Sequence, residues 1–112
     1  MPPLTYPEAL AWTLILETPV VLVAALRWRC GIARAFLAAL AASGVTHPVA
    51  WSMAMAMPYS DYITWGWYAI EAAVCCVEAF ILGSIMRLST GRKWGLSILA
   101  NSVSAFAGWV VP

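Results

Sequence analysis

Positive charge interrupts the apolar sequence of this chain at only two places. All six basic residues fall there: Arg27, Arg29, Arg34, Arg87, Arg92 and Lys93. Hydrophobic residues make up 63% of the sequence and charged residues 10%, against about 45–50% and 25% in soluble proteins. This composition, divided by two basic stretches, predicts an integral membrane protein with several membrane-spanning segments.

Four apolar runs are long enough to cross a hydrocarbon core of roughly 30 Å, which takes about 20 residues of helix. They predict helices over residues 7–26, 35–57, 62–86 and 94–111. Strands are not expected, because the runs are too long and lack alternation with a period of two. The predicted fold class is an all-α integral membrane protein, in which residues 1–112 form a single domain of four transmembrane helices.

The basic residues also predict an orientation, since Lys and Arg accumulate in short cytoplasmic loops. Both clusters follow an odd-numbered helix, so we expect both termini on the outer side (N-out and C-out). The outer side carries Glu8 and Asp61 and no Lys or Arg. We expect a location in a bacterial inner (cytoplasmic) membrane. Membrane lipids are the expected contacts, and six scattered basic residues do not suggest a nucleic-acid surface.

The two halves of the sequence resemble each other. Ser43-x-x-Thr46 recurs 58 positions later as Asn101-x-x-Ser104, and Arg34 then aligns with Arg92. In each half a helix with a glutamate precedes the basic stretch, and Glu17 aligns with Glu78 after a gap of about three residues. The pattern predicts a tandem repeat over approximately residues 7–57 and 62–112, with two helices per unit and the two units parallel. Glu17 and Glu78 would then be equivalent and could meet near the axis between the units.

Several polar residues are predicted to lie deep in the membrane. Glu17 lies ten positions before Arg27 and Glu78 nine before Arg87, which places both about 14 Å from the cytoplasmic boundary. The predicted midplane cluster is Glu17, His47, Glu71, Glu78 and Asn101, with Thr46, Ser43, Ser104 and Cys75 in support. A charge at a helix centre costs roughly 2.5–3.5 kcal/mol, so these residues need an explanation.

Three explanations stay open from the sequence. The polar side chains could join helices through hydrogen bonds, or they could handle protons or cations. In a third interpretation, Glu17, His47 and Glu78 hold a metal, a haem or a quinone, with Cys75 as a softer neighbour. No pair among them has a recognised ligand spacing apart from the seven positions between Glu71 and Glu78. We therefore assign no metal site and leave any cofactor unknown.

Size, four predicted helices and a glutamate in the first helix are shared with the small multidrug resistance transporters. Those proteins usually carry little charge bias and lack a parallel duplication, so the chain is not assigned to that family. The first functional prediction is a non-enzymatic accessory or scaffolding subunit of a larger membrane complex of the respiratory or photosynthetic type. The alternative is an oligomeric proton-coupled carrier or cation pathway that uses the membrane-embedded glutamates.

An enzyme is not expected, because no nucleophile–base pair, nucleotide-binding loop or metal motif is present. The expected partners are therefore other membrane-protein subunits or further copies of this chain.

Overall fold

The computed structural model describes the backbone of residues 5–110 and the side chains of residues 5–106. Nearly all of this backbone is helical, and no strand forms within it. The long helices are α1 (Tyr6–Arg27), α2 (Ile32–Ala56), α3 (Tyr59–Met86) and α4 (Thr90–Val110). The all-α prediction is confirmed. Each helix begins one to four residues earlier than predicted, and the predicted end of the last helix at residue 111 lies outside the described residues.

Helix α1 begins at a capping box. The Thr5 hydroxyl accepts a hydrogen bond from the Glu8 backbone N–H, and the Glu8 carboxylate accepts one from the Thr5 backbone, both at 3.4 Å. These bonds satisfy backbone donors that have no partner within the helix. Further along, Pro19 in α1 and Pro48 in α2 lie inside continuous helices. Each proline removes one backbone hydrogen bond, but neither ends its helix.

Helix α3 opens with an irregular first section. A single turn over Tyr59–Asp61 leads into a π-helical segment, Tyr62–Gly66, and the regular helix runs over Trp67–Met86. Gly66 is buried there, and a Cβ atom at this position would collide with the Met57 sulfur at the end of α2. The wide turn and the missing side chain together let the two helix ends approach closely.

The α1–α2 and α3–α4 connections lie at the same end of the molecule, which we call the basic end. Cys30 Sγ lies 3.9 Å from the Met86 carbonyl oxygen, and the Arg92 guanidinium lies 5.1 Å from the centre of a Trp28 ring. Both connections pass through an arginine in the left-handed conformation, Arg29 (φ 57°) and Arg87 (φ 56°). These two arginines are 58 positions apart, which is the offset of the predicted repeat.

The helices pack in a ring in which α1 and α3 each contact both α2 and α4. The core of this ring lies toward the basic end and consists of Val21, Ala25, Ala35, Ala38, Ala39, Ala42, Leu82, Met86 and Leu96. Most of these side chains are alanine, and small residues let helix backbones approach closely. Close approach increases the van der Waals contact between helices, which is the main source of packing energy in lipid.

The surface of the molecule is apolar while several polar side chains lie inside it. Ile15, Val49 and Phe80 are each about 60% exposed, whereas Glu17 and Glu78 are at most 5% exposed. This distribution is the reverse of that in a soluble protein. Three helices, α1, α2 and α3, are long and apolar enough to cross a membrane. The described part of α4 does not meet the same requirement of length and apolar character, so its role as a fourth span stays a prediction.

The alanine core gives a stability prediction. Ala38 is fully buried between helices, so Ala38→Leu should destabilise the protein by about 1–3 kcal/mol through overpacking. Ala73 on α3 is exposed, and Ala73→Leu should change the stability by less than about 0.5 kcal/mol. Denaturant titration in mild detergent, followed by circular dichroism, measures both. Equal stability of the two variants would show that the helices do not pack closely at Ala38.

Candidate functional site

The candidate site is built around the carboxyl group of Glu78 on α3. Glu78 is 2% exposed. Its Oε2 accepts a hydrogen bond of 3.0 Å from Asn101 Nδ2 on α4, and its Oε1 lies 3.1 Å from Thr46 Oγ1 on α2. Thr46 Oγ1 also lies 2.8 Å from the Ala42 carbonyl oxygen. Since a hydroxyl has one proton, Thr46 donates to only one of these oxygens at a time.

Glu17 on α1 completes the site. It is 5% exposed, and its carboxyl group lies beside the carboxyl group of Glu78 and close to the Ser104 side chain on α4. Two ionised carboxylates are both acceptors only, so a hydrogen bond between them would require one shared proton. We call Glu17 and Glu78 the carboxyl pair. All four helices meet at it, because α2 contributes Thr46 and α4 contributes Asn101 and Ser104.

Each carboxyl group of the pair is contacted by a residue of the other predicted repeat unit. Thr46 of the first half contacts Glu78 of the second half, while Ser104 of the second half contacts Glu17 of the first. Thr46 and Ser104 are 58 positions apart and thus equivalent in the predicted repeat. This reciprocal arrangement is what a parallel duplication would produce, although the duplication itself stays a prediction.

Asn101 is held in place by a second set of bonds. Its Nδ2 atom also donates to the Ser97 carbonyl oxygen at 2.8 Å, so both amide protons are used. The Ser97 hydroxyl in turn donates to the Cys75 carbonyl oxygen on α3 at 2.7 Å. Ser97 is fully buried and was not among the predicted site residues. Its position four residues before Asn101, on the same helix face, is the signal that would have found it.

Glu71 and Cys75 lie on the side of the carboxyl pair away from the basic end. Both are only partly buried. Glu71 is close enough to Glu78 and Glu17 to interact electrostatically with both. It forms no hydrogen bond with them among the described residues. Glu71 therefore belongs to the surroundings of the pair, and the side chain of Cys75 adds no hydrogen bond to it.

The structure does not bring His47 to the carboxyl pair. Its ring packs against Tyr6, at a centroid distance of 4.9 Å, and against Trp51 at 6.0 Å. His47 follows Thr46 directly on α2, so its backbone lies next to a residue that contacts Glu78. Successive side chains of a helix point about 100° apart, and His47 forms no hydrogen bond with the carboxyl pair within the described residues. Counting residues along a helix does not give the direction of a side chain.

The remaining members of the predicted set contribute less. Ser43 is 2% exposed but makes no hydrogen bond to the carboxyl pair within the described residues. Across the part of the chain that the structure describes, no three His, Cys, Asp or Glu side chains are arranged to hold one metal ion.

The carboxyl pair has different surroundings toward the two ends of the molecule. Toward the basic end, the core side chains between it and the connections are at most 3% exposed. Toward the opposite end, Glu71 is partly exposed, and the described side chains include only two buried residues, Gly66 and Ile70. As far as residues 5–106 show, the pair is thus closed off from the basic end and less enclosed toward the other.

Comparisons with protein-family models, with curated proteins and with solved structures give no match to this chain. Its function has to be inferred from its own residues.

The hydrogen bonds of Glu78 give a second prediction. Glu78→Leu leaves the Asn101 amide and the Glu17 carboxyl without their buried partner and should cost about 1–3 kcal/mol of stability. Glu78→Gln should cost less than about 1 kcal/mol, because the glutamine oxygen can accept from Asn101 and its NH₂ group can donate to Thr46. Denaturant titration in detergent micelles separates the two variants. Wild-type stability of Glu78→Leu would show that the carboxyl pair does not join the helices.

Proposed function

We propose that this protein is a small non-enzymatic membrane subunit that packs, through its apolar outer surface, against other subunits of a larger membrane complex of the respiratory or photosynthetic type. The carboxyl pair serves to hold its own helices together. The observation that carries this proposal is that hydrogen-bond donors from the neighbouring helices surround the carboxyl pair, while tightly packed alanines separate it from the basic end. A carrier has to open its site to both sides of the membrane in turn.

The proposal includes four membrane spans with both termini outside, in a bacterial inner membrane. The side chains of α4 support a fourth span: Ser97 and Asn101 are buried, while Ile98 and Leu99 are more than half exposed. The polar residues of α4 lower its average hydropathy, but they face the interior of the bundle, where the carboxyl pair lies. Both basic clusters lie at the same end, which then faces the cytoplasm.

The short connections between the helices also support a subunit. The described helices are joined by connections of two to four residues, which are too short to carry a catalytic domain. Large apolar side chains such as Met55, Tyr59 and Phe106 are more than 70% exposed. In a membrane complex, part of this surface would contact neighbouring helices and the rest would contact lipid.

Native mass spectrometry after mild detergent extraction from the protein's own membrane tests this proposal. We expect the chain to be recovered with other polypeptides in a fixed stoichiometry that persists in several detergents. The complex should survive Glu78→Gln and be lost with Glu78→Leu, because only the second change breaks the contacts between helices. Recovery of the chain alone, or only as a homo-oligomer, would contradict the proposal.

A second candidate function, an oligomeric proton or cation pathway, is favoured by one observation. Glu71 is partly exposed on the open side and interacts electrostatically with the carboxyl pair. It could therefore pass protons between the outer side and the pair, at which Glu17 and Glu78 would exchange the shared proton. A complete path across the membrane would need a second copy of the chain, because the alanine core closes a single ring of helices at its basic end.

Reconstitution into vesicles tests the second candidate. With an imposed pH gradient and an internal pH-sensitive dye, a proton pathway predicts flux above that of protein-free vesicles. Glu71→Gln should reduce this flux at least about tenfold, since it removes the group that links the pair to the outside. Asp61→Asn, which changes an acid outside the cluster, should leave the flux unchanged. Flux equal to that of empty vesicles would exclude this function for the isolated chain.

A further inference from the structure

An open groove runs along the outside of the molecule between α1 and α4. It has a volume of ≈ 690 Å³ and extends from Pro19 and Leu99 to the basic end, where Arg27, Trp28 and Arg92 surround its mouth. The volume falls within the range of about 300–1,000 Å³ that is usual for small-molecule sites. Apart from the two arginines, its walls are apolar. We call it the α1–α4 groove.

Two glycines keep the groove open. Gly91 and Gly95 on α4 both line it, and a Cβ atom built on either one would have no other atom within 4 Å. Close contact between helices therefore does not explain these glycines, in contrast to Gly83 on α3, where a Cβ atom would press on the Lys93 side chain. A larger residue at position 95 would fill the groove without disturbing the bundle.

The mouth of the groove is positively charged and has no acidic counterpart. Within the described residues, neither Arg27 nor Arg92 forms an ion pair. None of the five acidic residues of the chain lies in the basic stretches. The N-terminus of α4 also lies at the mouth, and the helix dipole there favours an anion. An anionic group at the mouth would thus meet two guanidinium groups and no repelling charge.

The length of the groove matches one leaflet of a bilayer. Pro19 and Arg27 are eight residues apart on α1, or about 12 Å along the helix axis. Half of a hydrocarbon core of roughly 30 Å has a similar depth. An acyl chain that begins at the mouth would therefore end near the level of the carboxyl pair, at the bilayer centre.

We propose that the α1–α4 groove binds one anionic phospholipid from the leaflet at the basic end. An acyl chain lies along Val23 and Leu99 over the glycine floor, and the phosphate lies between Arg27 and Arg92. A second copy of this chain fits the groove less well, because a symmetric contact would bring the arginines of both copies together without any acid to neutralise them. The lipid site rests on the proposed membrane span of α4 but not on the proposed role as a subunit of a complex.

Lipid retention measured by native mass spectrometry tests this site. The full chain, purified in mild detergent, is incubated with equal amounts of phosphatidylglycerol and phosphatidylcholine. We expect one retained lipid per chain with a clear preference for phosphatidylglycerol. Arg27→Gln and Arg92→Gln should each lower phosphatidylglycerol retention about fivefold, which corresponds to about 1 kcal/mol per basic residue at a membrane surface. Gly95→Leu should abolish the retention of both lipids, because it fills the groove.

The chain offers a matched control for each change. Arg34→Gln removes the same charge from the first turn of α2, outside the groove. Gly44→Leu adds the same side chain at an exposed glycine of α2 that also has open space around it. Both controls should retain lipid like the wild type. The proposal is overturned if Arg34→Gln lowers retention as much as Arg27→Gln, or if Gly95→Leu retains the wild-type amount of lipid.

Two further outcomes would also overturn the site. A dimer of the wild type that disappears with Gly95→Leu would show that a second copy occupies the groove. Glycerol phosphate that competes fully with the lipid would show that the arginines bind a free phosphate and that the groove contributes nothing.

Discussion

The contact between the carboxyl groups of Glu17 and Glu78 is the interaction on which the rest of this structure depends. In a membrane the helices gain little from the hydrophobic effect when they associate, so packing and polar contacts have to hold them together. The carboxyl pair supplies a polar contact at which all four helices meet, with Thr46, Asn101 and Ser104 as partners. An unpaired carboxyl buried between these helices would be costly, and this cost favours the arrangement in which every partner is present.

The interior is stabilised in two ways, by close packing in the alanine core and by hydrogen bonds around the carboxyl pair. Toward the basic end, small side chains such as Ala25 and Ala38 allow close backbone contact, and no buried side-chain nitrogen or oxygen atom of the described residues lacks a hydrogen-bond partner there. Around the pair, hydrogen bonds replace close packing. The surroundings become looser toward the opposite end, where His47 packs between aromatic rings and its Nε2 atom is buried without a partner. The closely packed region toward the basic end is consistent with a subunit role, whereas a proton pathway would have to pass through the looser region at the opposite end.

Several features of the two halves agree with a common origin. Arg29 and Arg87 share the left-handed conformation at the same offset that relates Thr46 to Ser104. The halves differ at the first position of the motif, where Ser43 of the first half aligns with Asn101 of the second. Only the asparagine is long enough to reach a glutamate, and Ser43 makes no such bond. This difference makes the pair asymmetric, with Glu78 held by more donors than Glu17.

The sequence by itself determined the helical class and the approximate position of each helix, because apolar run length and helical rise are local properties. Only the tertiary structure decided which polar residues meet. It joined Thr46, Asn101 and Ser104 to the carboxyl pair, placed His47 beside Tyr6 and opened the α1–α4 groove. Contacts between helices depend on the rotation and axial offset of each helix relative to its neighbours, and counting residues along one helix does not give either quantity.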